Sequence, residues 1–129
     1  MNLLLDTHVL LWAATEPSRM GSHARQLVED GANDVCVSVV SAWEIAIKQS
    51  LGKLHLAQPA EAWLPDVIQR TGFAVAPVGL DAALRVRSLP WHHRDPFDRL
   101  IIAQALEGGL TIVTHDEVFS RYGVGVVEA

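Results

Sequence analysis

Cysteine is nearly absent: a single residue, Cys36, in a chain of 129. One thiol rules out an internal disulfide and a cysteine-based zinc site. Its place in the apolar run 35–40 points to the core. Positive charge is scarce as well. Ten Lys and Arg stand against fifteen Asp and Glu, a net charge of −5, which argues against a protein that coats nucleic acid by bulk electrostatics. It does not argue against a nuclease, whose own carboxylates enter that balance. There is no basic leader and no long uncharged apolar run, so neither a signal peptide nor a membrane span is expected, and a reducing cytoplasm fits. Repeats, low-complexity tracts and linkers are also missing, so residues 1–129 are expected to form one domain.

What is present is a regular alternation of apolar segments. Half the residues are hydrophobic, enough for a core at this length. Residues 2–5, 34–40, 73–78, 110–114 and 123–127 read as strands. Residues 23–30, 41–51 and 60–72 read as helices, with a short one over 80–87 and another within 92–109 that carries the apolar run 100–106. Residues 9–14 are apolar on every face and are expected to form a helix covered on both sides. The pattern predicts a three-layer α/β/α sandwich with a central, mostly parallel sheet.

Four acids recur at the same kind of place. Asp6 directly follows the first strand, where it can cap the next helix or stand at the functional edge of a parallel sheet. Glu44 lies in Ser41-Ala-Trp-Glu44, which reads as a capping box. In Asp95-Pro96-Phe97-Asp98, Asp95 has the better capping position and Pro96 suits the first helical turn, which leaves Asp98 free. Asp116 follows the strand that ends at Thr114 and can cap 117–121. Each alone has a structural explanation. Together, Asp6, Glu44, Asp98 and Asp116 would converge on one edge of the sheet and repel one another, and a divalent cation removes that conflict. Oxygen-only ligands favour Mg²⁺ or Mn²⁺ over zinc, and such ions activate water for attack on phosphodiesters. Setting these four acids aside leaves −1 of the net −5, so the acidity is local.

The stretches "LLLDTHVLLW", "SVVSAWEIAIKQSLGKL", "HHRDPFDRLIIAQA" and "TIVTHD" occur in an order that resembles PIN-domain ribonucleases, specifically VapC-type toxins of bacterial toxin–antitoxin pairs. The resemblance spans nearly the whole chain. It implies a metal-dependent endoribonuclease of the cytoplasm that acts on RNA, forms a homodimer and is neutralised by a cognate VapB-type antitoxin. Carried over by residue, the acidic quartet falls on Asp6, Glu44, Asp98 and Asp116. Asp6 and Asp98, with Asp116 beside them, would be the ligands of Mg²⁺ or Mn²⁺. Thr7, Ser41 and Thr114 match small polar positions next to the site.

Other residues have two readings each. His92 and His93 are either metal ligands or, as favoured here, surface residues that touch substrate. Arg94 and Arg99 either pair with Asp95 or Glu107 or grip phosphate. Lys48 can form an i,i+4 pair with Glu44. Trp12, Trp43 and Trp63 read as core or interface, and Trp91 as a candidate RNA contact. Against the nuclease stands a non-catalytic signalling or binding domain of receiver type. That class needs an acidic pair after its first strand, where this chain has Thr7 and His8, and a late lysine, where it has Thr114 and His115.

Overall fold

A computed structural model describes residues 1–129. Five strands, β1 (Asn2–Leu5), β2 (Asp34–Ser38), β3 (Ala74–Ala76), β4 (Thr111–Thr114) and β5 (Val126–Glu128), form one sheet. Their order is β3-β2-β1-β4-β5 and every neighbouring pair is parallel. The helices are α1 (Thr7–Thr15), α2 (Ser22–Glu29), α3 (Val39–Ser50), α4 (Ala60–Thr71), α5 (Leu80–Arg85) and α6 (Pro96–Gly108). This is the expected three-layer α/β/α architecture. The receiver-type alternative fails here, because that class shares the flavodoxin-like order 2-1-3-4-5.

Side-chain alternation along β1 shows how the layers are built. Leu3 and Leu5 enter one core with Val9 and Leu10 of α1 and Trp63 and Val67 of α4. Leu4 enters the opposite core with Ile101 and Ile102 of α6 and Ile112 of β4. All three leucines are fully buried. A strand covered on both faces must be apolar at every position, hence the unbroken leucine run.

Two expectations are corrected. β2 ends at Ser38, because the Ser38 hydroxyl accepts the Val40 N–H at 2.9 Å and starts α3 there. Ser41 is therefore inside the helix, and the Ser41/Glu44 capping box does not form. The β-branched pair Val39-Val40 read as strand, but a cap outweighs the small propensity cost of two valines in a helix. The second correction concerns α1. Only Thr7, Val9 and Leu10 are buried, and residues 11–14 are half-open. Its outer face is not covered within this chain.

The order of the strands reverses at β1, which lies between β2 and β4. Crossovers leave in opposite directions from such a point, so a crevice opens beyond the carboxyl ends of β1 and β4. Asp6 and Asp116 sit at those two ends.

Candidate active site

A cleft of about 380 Å³ opens at this crevice, and Asp6, Glu44, Asp98 and Asp116 all line it. Each arrives on a different element. Asp6 caps α1, accepting the Val9 N–H at 2.8 Å through Oδ1. Asp116 caps the 3-10 segment Glu117–Tyr122, accepting the Val118 N–H at 2.9 Å. Asp95 caps α6 through the N–H groups of Phe97 and Asp98, at 2.8 and 3.3 Å. Asp98, in the first turn of α6, thus has no capping duty. Glu44 projects from the second turn of α3.

The small polar residues touch these acids directly. The Thr7 hydroxyl donates to Glu44 Oε1 at 2.7 Å and lies 2.9 Å from Ser41 Oγ. Since the Thr7 proton goes to Glu44, Ser41 is the donor to Thr7. Buried Thr114 donates to Asp6 Oδ2 and accepts the Asp116 N–H at 3.0 Å, joining the two strand-end acids. Lys48 reaches Glu44 Oε2 as an i,i+4 ion pair, and that bond holds its ammonium above the usual lysine range.

Asp98 is the exception in this network. Its carboxylate accepts no hydrogen bond from the chain. Burial, then the charges of Asp95, Glu44 and Asp6, push it up to about 7, although His93 opposes the rise. Burial likewise raises Asp6, against the hydrogen bonds from Thr114 and Val9. At Asp116 burial is the largest single influence and acts upward, but hydrogen bonds from His93 and Val118 together with the nearby His93 and His115 hold the group below the ordinary carboxylate range. An under-bonded, half-buried carboxylate facing three other acids is an oxygen donor set short of positive charge. These residues therefore fit a hard divalent cation. Ligand atoms of His93, Asp98 and Asp116 lie within 4.8 Å of one another.

The other polar residues follow their sequence readings unevenly. His93 is not a surface residue: its side chain is only 11% exposed, and Nε2 lies 2.8 Å from Asp116 Oδ2. His92 is exposed, its ring edge-on to Tyr122, and it does not line the cleft. Arg99 pairs with neither Asp95 nor Glu107 and cannot grip phosphate. It is fully buried and donates to the carbonyls of Val86, Leu89, Pro90 and His93, while Arg85 takes Glu107. Trp91 is exposed, but its ring packs over the Arg99 guanidinium at 3.7 Å. Trp63 is core and Trp43 exposed.

His8, Trp12 and His115 also line the cleft, and the sequence reading missed them. Trp12 and His115 meet edge-on, with centroids 5.5 Å apart. One signal was available: His8 and Trp12 are one turn apart on α1, so they share a face with the first turn after Asp6.

A family model described as PIN domain matches residues 3–125. Ribonuclease VapC22 of Mycobacterium tuberculosis (strain ATCC 25618 / H37Rv) is 35% identical over 116 residues, covering 88% of this chain and 86% of the relative. Ribonuclease VapC16 of the same strain is 39% identical over 62 residues, 48% of this chain and 43% of that protein. Among solved structures, VapBC2 from Rickettsia felis, bound to a DNA fragment from its promoter, aligns with a TM-score of 0.74 at 16% identity, covering 99% of this chain and 98% of that one. VapBC-5 from Mycobacterium tuberculosis aligns at 0.60 and 20% identity, covering 99% and 98%. At such identities the structural likeness speaks for the fold alone.

Proposed function

The chain belongs to the PIN-domain family, and from that premise we propose that it is a divalent-metal-dependent endoribonuclease, the toxin of a toxin–antitoxin pair. The observation that carries this is the meeting of four carboxylates at the sheet's switch point, with Asp98 left unpartnered. Residues 1–129 would be a single nuclease domain.

In this reading Asp6, Asp98 and Asp116 hold the cation, Mg²⁺ or Mn²⁺. When bound, that ion neutralises the acids, lowers the pKa of a water and polarises a phosphoryl oxygen. The chain's residues set the stage for hydrolysis. Thr114 fixes Asp6, and Thr7 with Lys48 fixes Glu44 at the cleft wall. His8, Trp12 and His115 line the cleft that an RNA strand would enter. In the overall reaction a water oxygen bonds to phosphorus, the bond to the leaving ribose oxygen breaks, and that oxygen takes a proton.

A cognate VapB-type antitoxin and a second copy of the chain are the proposed protein partners. The half-open outer face of α1 supports this, since helix-in-groove binding uses such apolar strips. No helix is long and apolar enough to cross a membrane.

The test is cleavage of single-stranded RNA with Mg²⁺, Mn²⁺ or EDTA, beside Asp6→Ala. Cleavage that needs the metal and is lost in Asp6→Ala is expected. Cleavage that persists in EDTA, or equally in Asp6→Ala, would sink the proposal.

A further inference from the structure

One ring beside the acids is held on several sides and has no part in the hydrolysis described above. His93 stacks on Tyr122, with planes 12° apart and centroids 5.5 Å apart, and meets Phe119 edge-on at 5.0 Å. Its Nδ1 lies 3.2 Å from the Tyr122 hydroxyl, which also accepts the His93 backbone N–H. Its carbonyl is one of those that Arg99 binds, and Arg99 fixes the preceding turn through Val86, Leu89 and Pro90 as well. The residue is pinned by its ring, its N–H and its carbonyl.

The hydrogen bonds assign the proton. A carboxylate accepts and does not donate, so the 2.8 Å contact to Asp116 requires the proton on Nε2. In a neutral imidazole Nδ1 is then the acceptor. The Tyr122 hydroxyl accepts the backbone N–H through one lone pair and still has its own proton to give to Nδ1 of the neutral ring. With the ring neutral, the hydrogen bonds run in one direction, from Tyr122 through His93 to Asp116.

Asp116 needs such a partner. Its side chain is 42% exposed, and the cap at Val118 holds only Oδ1. Without a bond at Oδ2 the carboxylate could turn about that single contact, towards water and away from Asp98. We propose that His93 is a positioning residue: by donating from Nε2 to Asp116 Oδ2, it fixes that carboxylate in the orientation that completes the cation site, with Tyr122 setting its tautomer. Partners of this kind commonly govern metal affinity. The role rests on the metal-nuclease reading above. The rival role for the same ring is direct nitrogen ligation beside Asp98 and Asp116, given the closeness of their ligand atoms.

The test uses Mn²⁺ alone as probe, at one fixed pH, with the full chain and three variants. Calorimetric titration should show Mn²⁺ affinity falling by about 10- to 100-fold in His93→Ala. His93→Gln, whose amide can donate to the same oxygen, should recover part of it. Tyr122→Phe keeps the stacked ring and removes only the hydroxyl, so it should show the same defect in smaller measure even if His93→Ala folds poorly. Pulsed EPR of bound Mn²⁺ should show no coupling to a directly bound imidazole nitrogen. With RNA, kcat should fall while KM stays near the parent value. A nitrogen coupling present in the parent and lost in His93→Ala would make His93 a ligand and overturn the positioning role. So would a His93→Ala that binds Mn²⁺ as the parent does, or a His93→Gln no better than His93→Ala. A parent chain that binds no Mn²⁺ would instead fail the metal-nuclease reading itself, and the role of His93 with it.

Discussion

Asp95 and Asp98 are three residues apart at the start of one helix, yet they do different work. Asp95 spends its carboxylate on two backbone N–H groups, and Asp98 spends its own on none. Their substitutions should therefore separate. Asp95→Ala should lose about 1 kcal/mol of stability, as for other lost caps, and keep metal-dependent cleavage. Asp98→Asn should abolish cleavage and raise the melting temperature of the metal-free chain at pH 8, because a charge repelled by its neighbours is gone. Thermal melts and RNA cleavage at equal metal concentration check both; an active Asp98→Asn beside an inactive, folded Asp95→Ala would reverse the roles. The same carboxylate governs pH dependence. Asp98 sits at about 7 when folded, against about 3.9 unfolded, so the folded chain holds that proton more tightly between these values. Unfolding free energy in EDTA should then fall as pH rises from about 4 to about 7 and level off above. Asp6, raised by burial, acts in the same direction. Asp116, held low, contributes stability that is lost as pH falls through the acid range below about 4. Mn²⁺ must displace the Asp98 proton, so its affinity should rise up to about pH 7. Melts that stay flat from pH 4 to 8, or metal affinity independent of pH, would count against a raised Asp98.

At the scale of elements, α6 supports the site from two directions. Its first turn presents Asp98 to the cleft, and Arg99, the next residue, points the opposite way into the loop before the helix. A guanidinium suits that place because its planar fork carries several donors at once. Arg99→Met keeps much of the volume but removes the guanidinium donors from the carbonyls of Leu89, Pro90 and His93, while Val86 keeps only the Leu89 N–H. It should destabilise by about 3 kcal/mol, as expected when several buried groups lose their partners. Arg99→Lys should recover little, since one ammonium cannot span four carbonyls. Urea unfolding measures both, and a cost below about 1 kcal/mol would show that the loop holds without this clamp. At the other end α6 stops at Gly109, which adopts φ 63° and lets the Ala105 carbonyl be capped.

At the scale of the molecule, apolar surface remains after folding. Leu80, Leu84, Leu51 and Trp43 are more than half exposed, and residues 11–14 of α1 are half-open. Apolar surface of this kind marks a protein-binding face where it forms one contiguous patch. The isolated chain is expected to dimerise, and light scattering that shows a monomer at high micromolar concentration would remove the dimer. An antitoxin that places an Arg or Lys among the four acids would occupy the cation's place. Replacing the basic residues of its contact segment should then restore RNA cleavage, whereas unchanged inhibition would mean steric blocking.

Local chemistry was enough to predict the layers, the parallel sheet and the gathering of four acids. Leucine runs buried on both faces and the Asp95-Pro96 helix start act over a few residues, so the chain carries them openly. The cap at Ser38 was local too, but two valines masked it, and the helix start was misplaced by two residues. The fate of His93 and Arg99 was not local. His93 meets Tyr122 across 29 residues and Asp116 across 23. Arg99 finds carbonyls instead of the acids that its charge would favour in water. Which polar group becomes buried, and against what, depends on how α6 packs against the sheet. That packing is set by contacts distant in sequence, and no periodicity or spacing records it.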